Sequence, residues 1–304
     1  MRATRIPSQS LAILLAPLAA ALPAPAQDEP KLAEIQAPPA ELVESLELAP
    51  FYAKHLDAGF PILASAKVAD AALREAKYLV DHMLTGRDDV RRRLAANKVR
   101  FVVMAVDEYT TDVPEHADLE PPAYWDVRAR GLGATRWRPA VSCGEENLLR
   151  YPGDPYAAEN ILIHEFAHAI HQMALSQLDR TFDQRLKAAY DAAMEEGLWE
   201  GLYAASNPAE YWAEGVQSWF DTNRPPDHDH NHVDTRAELR EYDPRLAKLI
   251  EAEFGDRDWR YVRPEDREPA DRAHLAGYDR EQAPRFAWPE EKLEAYRKVS
   301  EERK

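Results

Sequence analysis

The spacing of apolar residues along the chain predicts two amphipathic helices and one buried strand. Between Asp70 and Leu84 apolar side chains recur every three or four residues, and the stripe ends at Gly86. This spacing is typical of a helix with one buried face. A second stripe of this kind runs from Phe182 to Glu196 and also ends at a glycine. Val99–Val106 instead contains consecutive apolar β-formers and is predicted to be a buried strand.

Shorter patterns complete the prediction of an α+β fold. Ala140–Cys143 and Asn147–Arg150 are predicted to be short strands. Tyr124–Pro139, with its glycines and tryptophans, is predicted to be a loop-rich turn between strands. Thr235–Phe254 is predicted to be helical with an interruption near Pro244. The expected fold is therefore mainly helical, with a small mixed sheet.

The chain is expected to consist of three segments. Residues 1–26 have the pattern of an export signal, with two arginines, an apolar stretch and an Ala-Pro-Ala cleavage site. Residues 27–90 are expected to form a lead-in rich in Pro, Glu and Ala, followed by a helical segment. Residues 91–304 are expected to form the main domain with a helical C-terminal extension.

The apolar run Ile161–Leu175 carries the strongest chemical signal in the chain. It contains no Gly or Pro, which predicts a helix, and it reads His-Glu-Phe-Ala-His from residue 164. Residues four apart share one face of a helix, so His164 and His168 can offer ring nitrogens to one metal ion. Glu165 lies beside them, where it can act on a water at the metal. This spacing is typical of zinc hydrolases, although a buried helix with two unrelated histidines would show it too.

The third ligand must come from elsewhere. His171 shares the face of His164 but lies roughly 10 Å along the helix axis from it, too far for one ion. We interpret His171 as a packed residue. Downstream, Asn207 and Pro208 are typical of a helix start, and the helix is predicted to run to about Phe220.

Glu210, in the first turn of that downstream helix, is the predicted third metal ligand. Its alternative role is a capping-box carboxylate that reaches back to the first residue of the helix. Glu214 lies one turn later on the same face. We predict that Glu214 holds the free N–H of a ligand histidine in the second shell of the site.

These motifs resemble the gluzincin metallopeptidases, and most closely the family of the anthrax lethal factor catalytic domain. The resemblance covers roughly residues 160–221, through the His-Glu-Phe-Ala-His helix and Tyr-x-x-x-Asn-x-x-Glu-x-Trp-Ala-Glu from residue 203. It implies a zincin-like catalytic domain with an HExxH active-site helix. It also implies particular roles for the matched positions: zinc ligands His164, His168 and Glu210, general base Glu165, and Tyr203 as a donor to the tetrahedral intermediate. In zincins an edge strand of the sheet pairs with the substrate, and one of the two short strands predicted above is the expected edge.

The composition narrows the possible partners and the compartment. Acidic residues outnumber basic residues by 54 to 38, and the formal net charge of −16 argues against nucleic acid and anionic membranes. The single cysteine, Cys143, excludes an intramolecular disulfide and is interpreted as a packing residue. No stretch beyond the export signal approaches the roughly 20 apolar residues of a spanning helix. We therefore expect a secreted or periplasmic protein without stable membrane insertion. The sequence does not predict its oligomeric state.

The expected activity is hydrolysis of a peptide or protein substrate with one zinc ion per chain. Three protein ligands leave a fourth position for water, Glu165 transfers the proton and Tyr203 stabilises the oxyanion. One alternative is a zinc hydrolase acting on a cell-wall or glycoconjugate substrate. Another is a non-catalytic zinc-binding interaction protein, against which the presence of Glu165 argues. A second metal site at His228, His230 and His232 remains an alternative to a solvated acidic turn.

Overall fold

Five short strands form one mixed sheet in the order β1-β2-β3-β5-β4. The structure, a computed structural model, describes residues 32–302, so the predicted export signal lies outside the described residues. The strands are β1 Lys54–Asp57, β2 Pro61–Ala64, β3 Arg100–Met104, β4 Gly131–Leu132 and β5 Ala140–Gly144. The three central strands β2, β3 and β5 run parallel, and the edge strands β1 and β4 are antiparallel to their neighbours. The fold is thus of the mixed α+β class.

Helices make up most of the regular structure. The α-helices of the described residues are α1 Ala40–Leu46, α2 Asp70–Met83, α3 Asp88–Ala96, α4 Pro122–Arg128, α5 Glu145–Leu148, α6 Ile161–Ile170, α7 Ser176–Leu178, α8 Phe182–Glu195, α9 Pro208–Trp219, α10 Arg236–Tyr242, α11 Pro244–Phe254 and α12 Glu290–Glu302. A π-helical turn, His171–Leu175, joins α6 to α7. None of the described helices is long and apolar enough to cross a membrane.

The central strand β3 is buried on both faces, which explains its unbroken apolar sequence. Phe101 and Val103 face the main core, where Phe101 contacts Phe166 of α6 with ring centroids 6.3 Å apart. Val102 and Met104 face a smaller core on the other side of the sheet. The strand predicted at Val99–Val106 is confirmed, as are the helices at α2, α8 and α9 and the break before Pro244.

Two strand predictions are corrected. Asn147–Arg150 was expected to be a strand, but it lies within and just after the short helix α5. Ala140–Cys143 is a strand, β5, but it lies between β3 and β4 and is therefore not the edge of the sheet. The edge beside it is β4, inside the stretch predicted to be a loop-rich turn. A strand of two residues is too short to show an alternating pattern in sequence.

The segments before and after the central part of the chain pack onto the same unit. Residues before 90 supply β1 and β2 to the sheet, neither of which was predicted, together with α2. The C-terminal segment is attached to α2 through Arg267, whose guanidinium bonds both carboxylate oxygens of Glu75 at 2.6 and 2.8 Å. It is also attached to α9 through the Tyr261 amide, which donates to the Phe220 carbonyl at 2.9 Å. The described residues, 32–302, group into one compact unit.

Candidate metal centre

Helices α6 and α9 carry the candidate ligands, and each begins with a side-chain cap. Asn160 accepts a hydrogen bond from the Ile163 amide at the start of α6. Asn207 accepts from the second and third amides of α9, whose first residue is Pro208. The indole of Trp212 in α9 donates to the carbonyl of Ala167 in α6 at 3.0 Å. This buried contact fixes the position of one helix against the other.

The three predicted ligands converge at a single point, and the group could hold a metal ion. The Nε2 atoms of His164 and His168 lie 3.1 Å apart, and each lies 3.2 Å from Oε2 of Glu210. Donor atoms that surround a zinc ion tetrahedrally at about 2.0–2.1 Å lie about 3.3–3.4 Å from one another. The observed triangle is therefore only slightly smaller than one face of such a tetrahedron. We call these three residues the His164 cluster.

A glutamine that the sequence analysis missed fixes the tautomer of His164. The amide nitrogen of Gln217 donates to the Glu159 carboxylate at 3.0 Å and to the Asn160 carbonyl at 3.3 Å. Its Oε1 atom must therefore face His164 Nδ1, which lies 2.7 Å away and is the donor. When the imidazole is neutral, Nε2 of His164 therefore presents its lone pair to the cluster, which is the state that binds a metal.

Glu214 lies near the position predicted for it but is not the nearest partner of His164. Its Oε1 is 3.4 Å from His164 Nδ1, farther than Gln217. Its other oxygen faces Asn223 at 3.1 Å and His230 at 3.4 Å. Glu210, Glu214 and Gln217 are spaced four and three residues apart on α9, so the same helical periodicity could have indicated Gln217.

The electrostatics of the cluster favour a cation. Burial alone lowers the pKa of His164, but the surrounding carboxylates, Glu210 most strongly, outweigh it and raise the pKa to about 10. Burial raises the pKa of Glu210, yet its hydrogen bonds with the two histidines hold that pKa well below its usual range. Side-chain exposures of 9, 10 and 18% for His164, His168 and Glu210 leave little water to compensate these charges. The carboxylates thus favour positive charge where the three side chains meet, whether a proton or a bound cation carries it.

Glu165 lies on the open side of the cluster, under the edge strand β4. A side chain at Gly131 would come within 3.0 Å of Glu165 Cγ, and one at Gly133 within 2.6 Å of His168 Cβ. Both glycines are therefore needed to let the strand pass directly over α6. Burial raises the pKa of Glu165, against the opposing effect of His164 and His168. A carboxyl group with a raised pKa is suited to accept and return a proton.

Tyr203 also faces the cluster, and its hydroxyl lies beside an arginine. The rings of Tyr203 and His164 lie 6.4 Å apart, and the Tyr203 amide is held by the Asp229 carbonyl at 2.8 Å. The guanidinium of Arg128 is near enough to the Tyr203 phenol to lower its pKa, against the larger effect of burial. A guanidinium can only donate, so Arg128 leaves the hydrogen of the Tyr203 hydroxyl available. Burial raises the pKa of Tyr203, which keeps that hydrogen in place at neutral pH.

A cleft with two lobes opens over Glu165, Tyr203 and Arg128, which line both of them. One, of about 450 Å³, we call the Trp288 lobe; it is also lined by Tyr156, Glu159, Arg224, His230, Trp288 and Tyr296. The other, of about 470 Å³, we call the Asn207 lobe; it is also lined by Tyr124, Trp125, Leu132, Gln172, Asn207 and Ala209. Nothing in the sequence indicated that Arg128 reaches this site, because it arrives on α4, far from the motifs.

The remaining candidates do not join the cluster. His171 bonds Asp183 at 2.9 Å, as expected of a packed residue. Of the histidines in the 228–232 loop, His230 contacts Asp227 and Glu214, and His232 packs against Tyr242. Within residues 32–302, the His164 cluster alone brings three ligating side chains together. Cys143 is a buried free thiol whose pKa is raised by burial, which is consistent with a packing residue.

The fold and site define a mixed α+β protein with a buried His-His-Glu group able to hold a metal ion. The chain matches no protein-family model, and it matches no curated protein.

Proposed function

We propose that this chain is an exported zinc-dependent metallopeptidase of the gluzincin type, with a zincin-like catalytic domain similar to that of the anthrax lethal factor family. One observation carries the proposal. The three ligand atoms form a triangle of 3.1–3.2 Å, and Glu165 follows the first ligand on the same helix and lines an open cleft. A purely structural metal site is normally closed and has no use for a carboxylate at its open side.

Each step of the proposed reaction is assigned to a different residue of this chain. A zinc ion bound by the cluster would supply a Lewis acid and lower the pKa of water. Glu165 would take the proton of the attacking water and pass it to the leaving amine. Tyr203, with its hydrogen available, would donate to the oxyanion that develops on the substrate carbonyl.

The edge strand favours a peptide over other substrates. β4 pairs with β5 on one side, and Gly131, Leu132 and Gly133 line the cleft. An extended peptide can add to such an edge through main-chain hydrogen bonds. The close passage of the strand over α6 would bring a peptide bond near Glu165. The export signal pattern of residues 1–26 would place the enzyme in the periplasm or outside the cell.

Digestion of a random peptide library tests the activity. The exported protein should cleave it, a chelator should abolish cleavage, and added zinc should restore it. Fragment masses would then give the residues flanking the cleaved bond. An intact library would contradict the peptidase; cleavage of cell-wall or glycan material instead would favour a different hydrolase, and zinc binding without any turnover an interaction protein.

A pair of histidine variants on one helix tests the metal assignment. His168→Gln should lose the zinc, whereas His171→Gln should keep about one zinc per chain because His171 faces Asp183. Glu210→Gln should also lose zinc. Full zinc content in Glu210→Gln would remove Glu210 from the site.

A further inference from the structure

Arg128 holds a central position in the cleft that the proposed chemistry does not use. It is the last residue of α4, its side chain is exposed, and it lines both lobes beside Glu165 and Tyr203. Its backbone carbonyl accepts a hydrogen bond from the Tyr156 hydroxyl at 2.9 Å, which holds the end of α4 at the cleft. Its guanidinium lies beside the Tyr203 phenol and lowers the pKa of that phenol, against the larger effect of burial.

Most of the hydrogen-bonding capacity of Arg128 is not used by carboxylates of this chain. A guanidinium has five N–H donors. Among residues 32–302, Arg128 forms no ion pair with a carboxylate; burial lowers its pKa, but neighbouring tyrosines, Tyr203 first, outweigh this effect and raise the pKa. Acids nevertheless outnumber bases in the chain. The other cleft arginines differ. Arg224 pairs with Glu159 and Asp227, and the fully buried Arg130 pairs with Glu146.

The charged residues that line the Asn207 lobe would leave the positive charge of Arg128 unbalanced once a divalent metal ion is bound. The lining of the lobe contains two carboxylates, Glu165 and Glu210, and Arg128 is its single Lys or Arg. A divalent ion bound by the cluster would balance the two carboxylates. The positive charge of Arg128 would then remain without a counter-charge, next to the point where the bond is hydrolysed.

We propose, building on the peptidase function above, that Arg128 binds a substrate carboxylate on a residue flanking the scissile bond, with that carboxylate in the Asn207 lobe. Arginine is suited to this because its planar fork can bond both carboxylate oxygens at once. The carboxylate can come from an Asp or Glu side chain, which gives an acid-selective endopeptidase. It can also be the C-terminal carboxylate, which gives a carboxypeptidase. The chemistry of recognition is the same in both cases.

Three matched peptides distinguish recognition of a side-chain carboxylate from recognition of the C-terminal carboxylate. The core of a cleaved library peptide is synthesised in three forms: with Glu beside the cleaved bond and an amidated end, with Gln there and an amidated end, and with Gln and a free C-terminal carboxylate. We expect kcat/KM of the zinc-loaded enzyme for one carboxylate form to exceed that of the neutral form by about tenfold or more. Equal values for all three forms would overturn the inference and leave the peptidase function standing.

Variants of Arg128 test whether this residue causes the preference for carboxylate peptides. Because Arg128 also contacts Tyr203, its loss should slow every substrate, so the informative quantity is the ratio of kcat/KM between carboxylate and neutral peptides. This ratio should fall close to one in Arg128→Gln and persist in part in Arg128→Lys. It should be unchanged in Arg136→Gln, which removes the same charge from an exposed site away from both lobes. A ratio that survives in Arg128→Gln would overturn the inference.

Binding to a zinc-loaded Glu165→Gln protein gives a readout without turnover. The same three peptides are titrated by calorimetry, with and without the Arg128→Gln change. Tighter binding of a carboxylate peptide that disappears in the double variant supports the inference, even if the wild-type protein cleaves no peptide. In that case, alanine hexapeptides with the same three modifications serve as probes. If carboxylate peptides still bind more tightly in the double variant, the zinc ion and not Arg128 binds the carboxylate. This outcome would contradict the inference, and so would the absence of any binding.

Discussion

Two buried clusters in this protein combine carboxylates with histidine, yet the partners of their carboxylates differ. In the Glu75 cluster (Glu75, Arg267 and His274), the carboxylate is fully buried. Both of its oxygens are bonded by Arg267, and one also by His274 at 2.7 Å. The cluster contains its own cation, so each charge is balanced within it.

The His164 cluster contains no lysine or arginine, and within it only a protonated histidine could balance the carboxylate of Glu210. Its two histidine Nε2 atoms face the same carboxylate oxygen and each other, and no lysine or arginine of the described chain pairs with Glu210. Three acceptor atoms this close together are unfavourable unless they share a proton or a metal ion. The comparison teaches that histidine beside a carboxylate does not by itself indicate a metal site. The indicative features are the convergence of three ligating atoms and, among the described residues, a carboxylate that pairs with no lysine or arginine.

The largest expected effect is the loss of turnover when Glu165, beside the His164 cluster, is replaced. Glu165→Gln should keep zinc and fold but lower turnover by up to about 10⁴-fold, because it removes the base without removing a ligand. Zinc content, the thermal unfolding midpoint and peptide cleavage check this together. Glu200→Gln, an exposed control, should behave as wild type. Unchanged turnover in Glu165→Gln would refute the hydrolase mechanism.

At the Glu75 cluster the opposite result is expected. Glu75→Gln should lower the free energy of unfolding by about 3–5 kcal/mol, because it leaves the buried guanidinium of Arg267 unpaired, while zinc content per folded chain stays the same. Chemical denaturation measures this, and Glu294→Gln on exposed α12 is the control. A stable Glu75→Gln protein that had lost its zinc would contradict the assignment of a structural role to the Glu75 cluster and a metal-binding role to the His164 cluster.

The acid dependence of stability follows from the same residue. Burial raises the pKa of Glu75, but its bonds to His274 and Arg267 outweigh this and hold the pKa below its usual range. The unfolded chain therefore binds the proton first as the pH falls. The contribution of Glu75 is complete above the pKa of a free Glu, about 4.3, and is lost as the pH falls through the folded value. Glu75→Gln should flatten the loss of stability in acid; an identical slope in the variant would count against the ion pair.

Replacing Tyr203 tests whether its hydroxyl takes part in the reaction on the open side of the His164 cluster. Tyr203→Phe keeps the ring and should lower kcat and kcat/KM by similar factors, about 10² or more, because the lost donor acts in the transition state. Zinc should be retained. Tyr190→Phe is a matched control, since its hydroxyl bonds the nearby Ala205 carbonyl and lies outside the cleft. Normal turnover with a lower melting temperature would make Tyr203 a structural residue.

The smallest expected effect concerns the partners of His164. Gln217→Leu should weaken zinc binding by about 10–100-fold, because His164 loses the acceptor that fixes its tautomer. Glu214→Gln should weaken it less, since Glu214 is 3.4 Å from Nδ1 whereas Gln217 is 2.7 Å away. Competition with a chelator of known affinity measures both. The reverse order would restore Glu214 as the principal support of His164, as the sequence alone predicted.

The sequence by itself determined helices α6 and α9 and the three residues of the His164 cluster. His164 and His168 lie four residues apart, and the geometry of any α-helix puts such residues on one face. Asn207 and Pro208 mark the start of α9, so Glu210 was already placed in its first turn. These predictions hold because they depend on local backbone geometry, which neighbouring residues specify.

Only the tertiary structure decided which residues surround those ligands. Gln217 supports His164, Arg128 reaches Tyr203 from α4, and Gly131 and Gly133 carry the edge strand over α6. None of these contacts is local in sequence, apart from the helical spacing that links Gln217 to Glu210. They depend on how α4, β4, α6 and α9 pack together, and that packing is set by the burial of many apolar side chains at once, which no short pattern records.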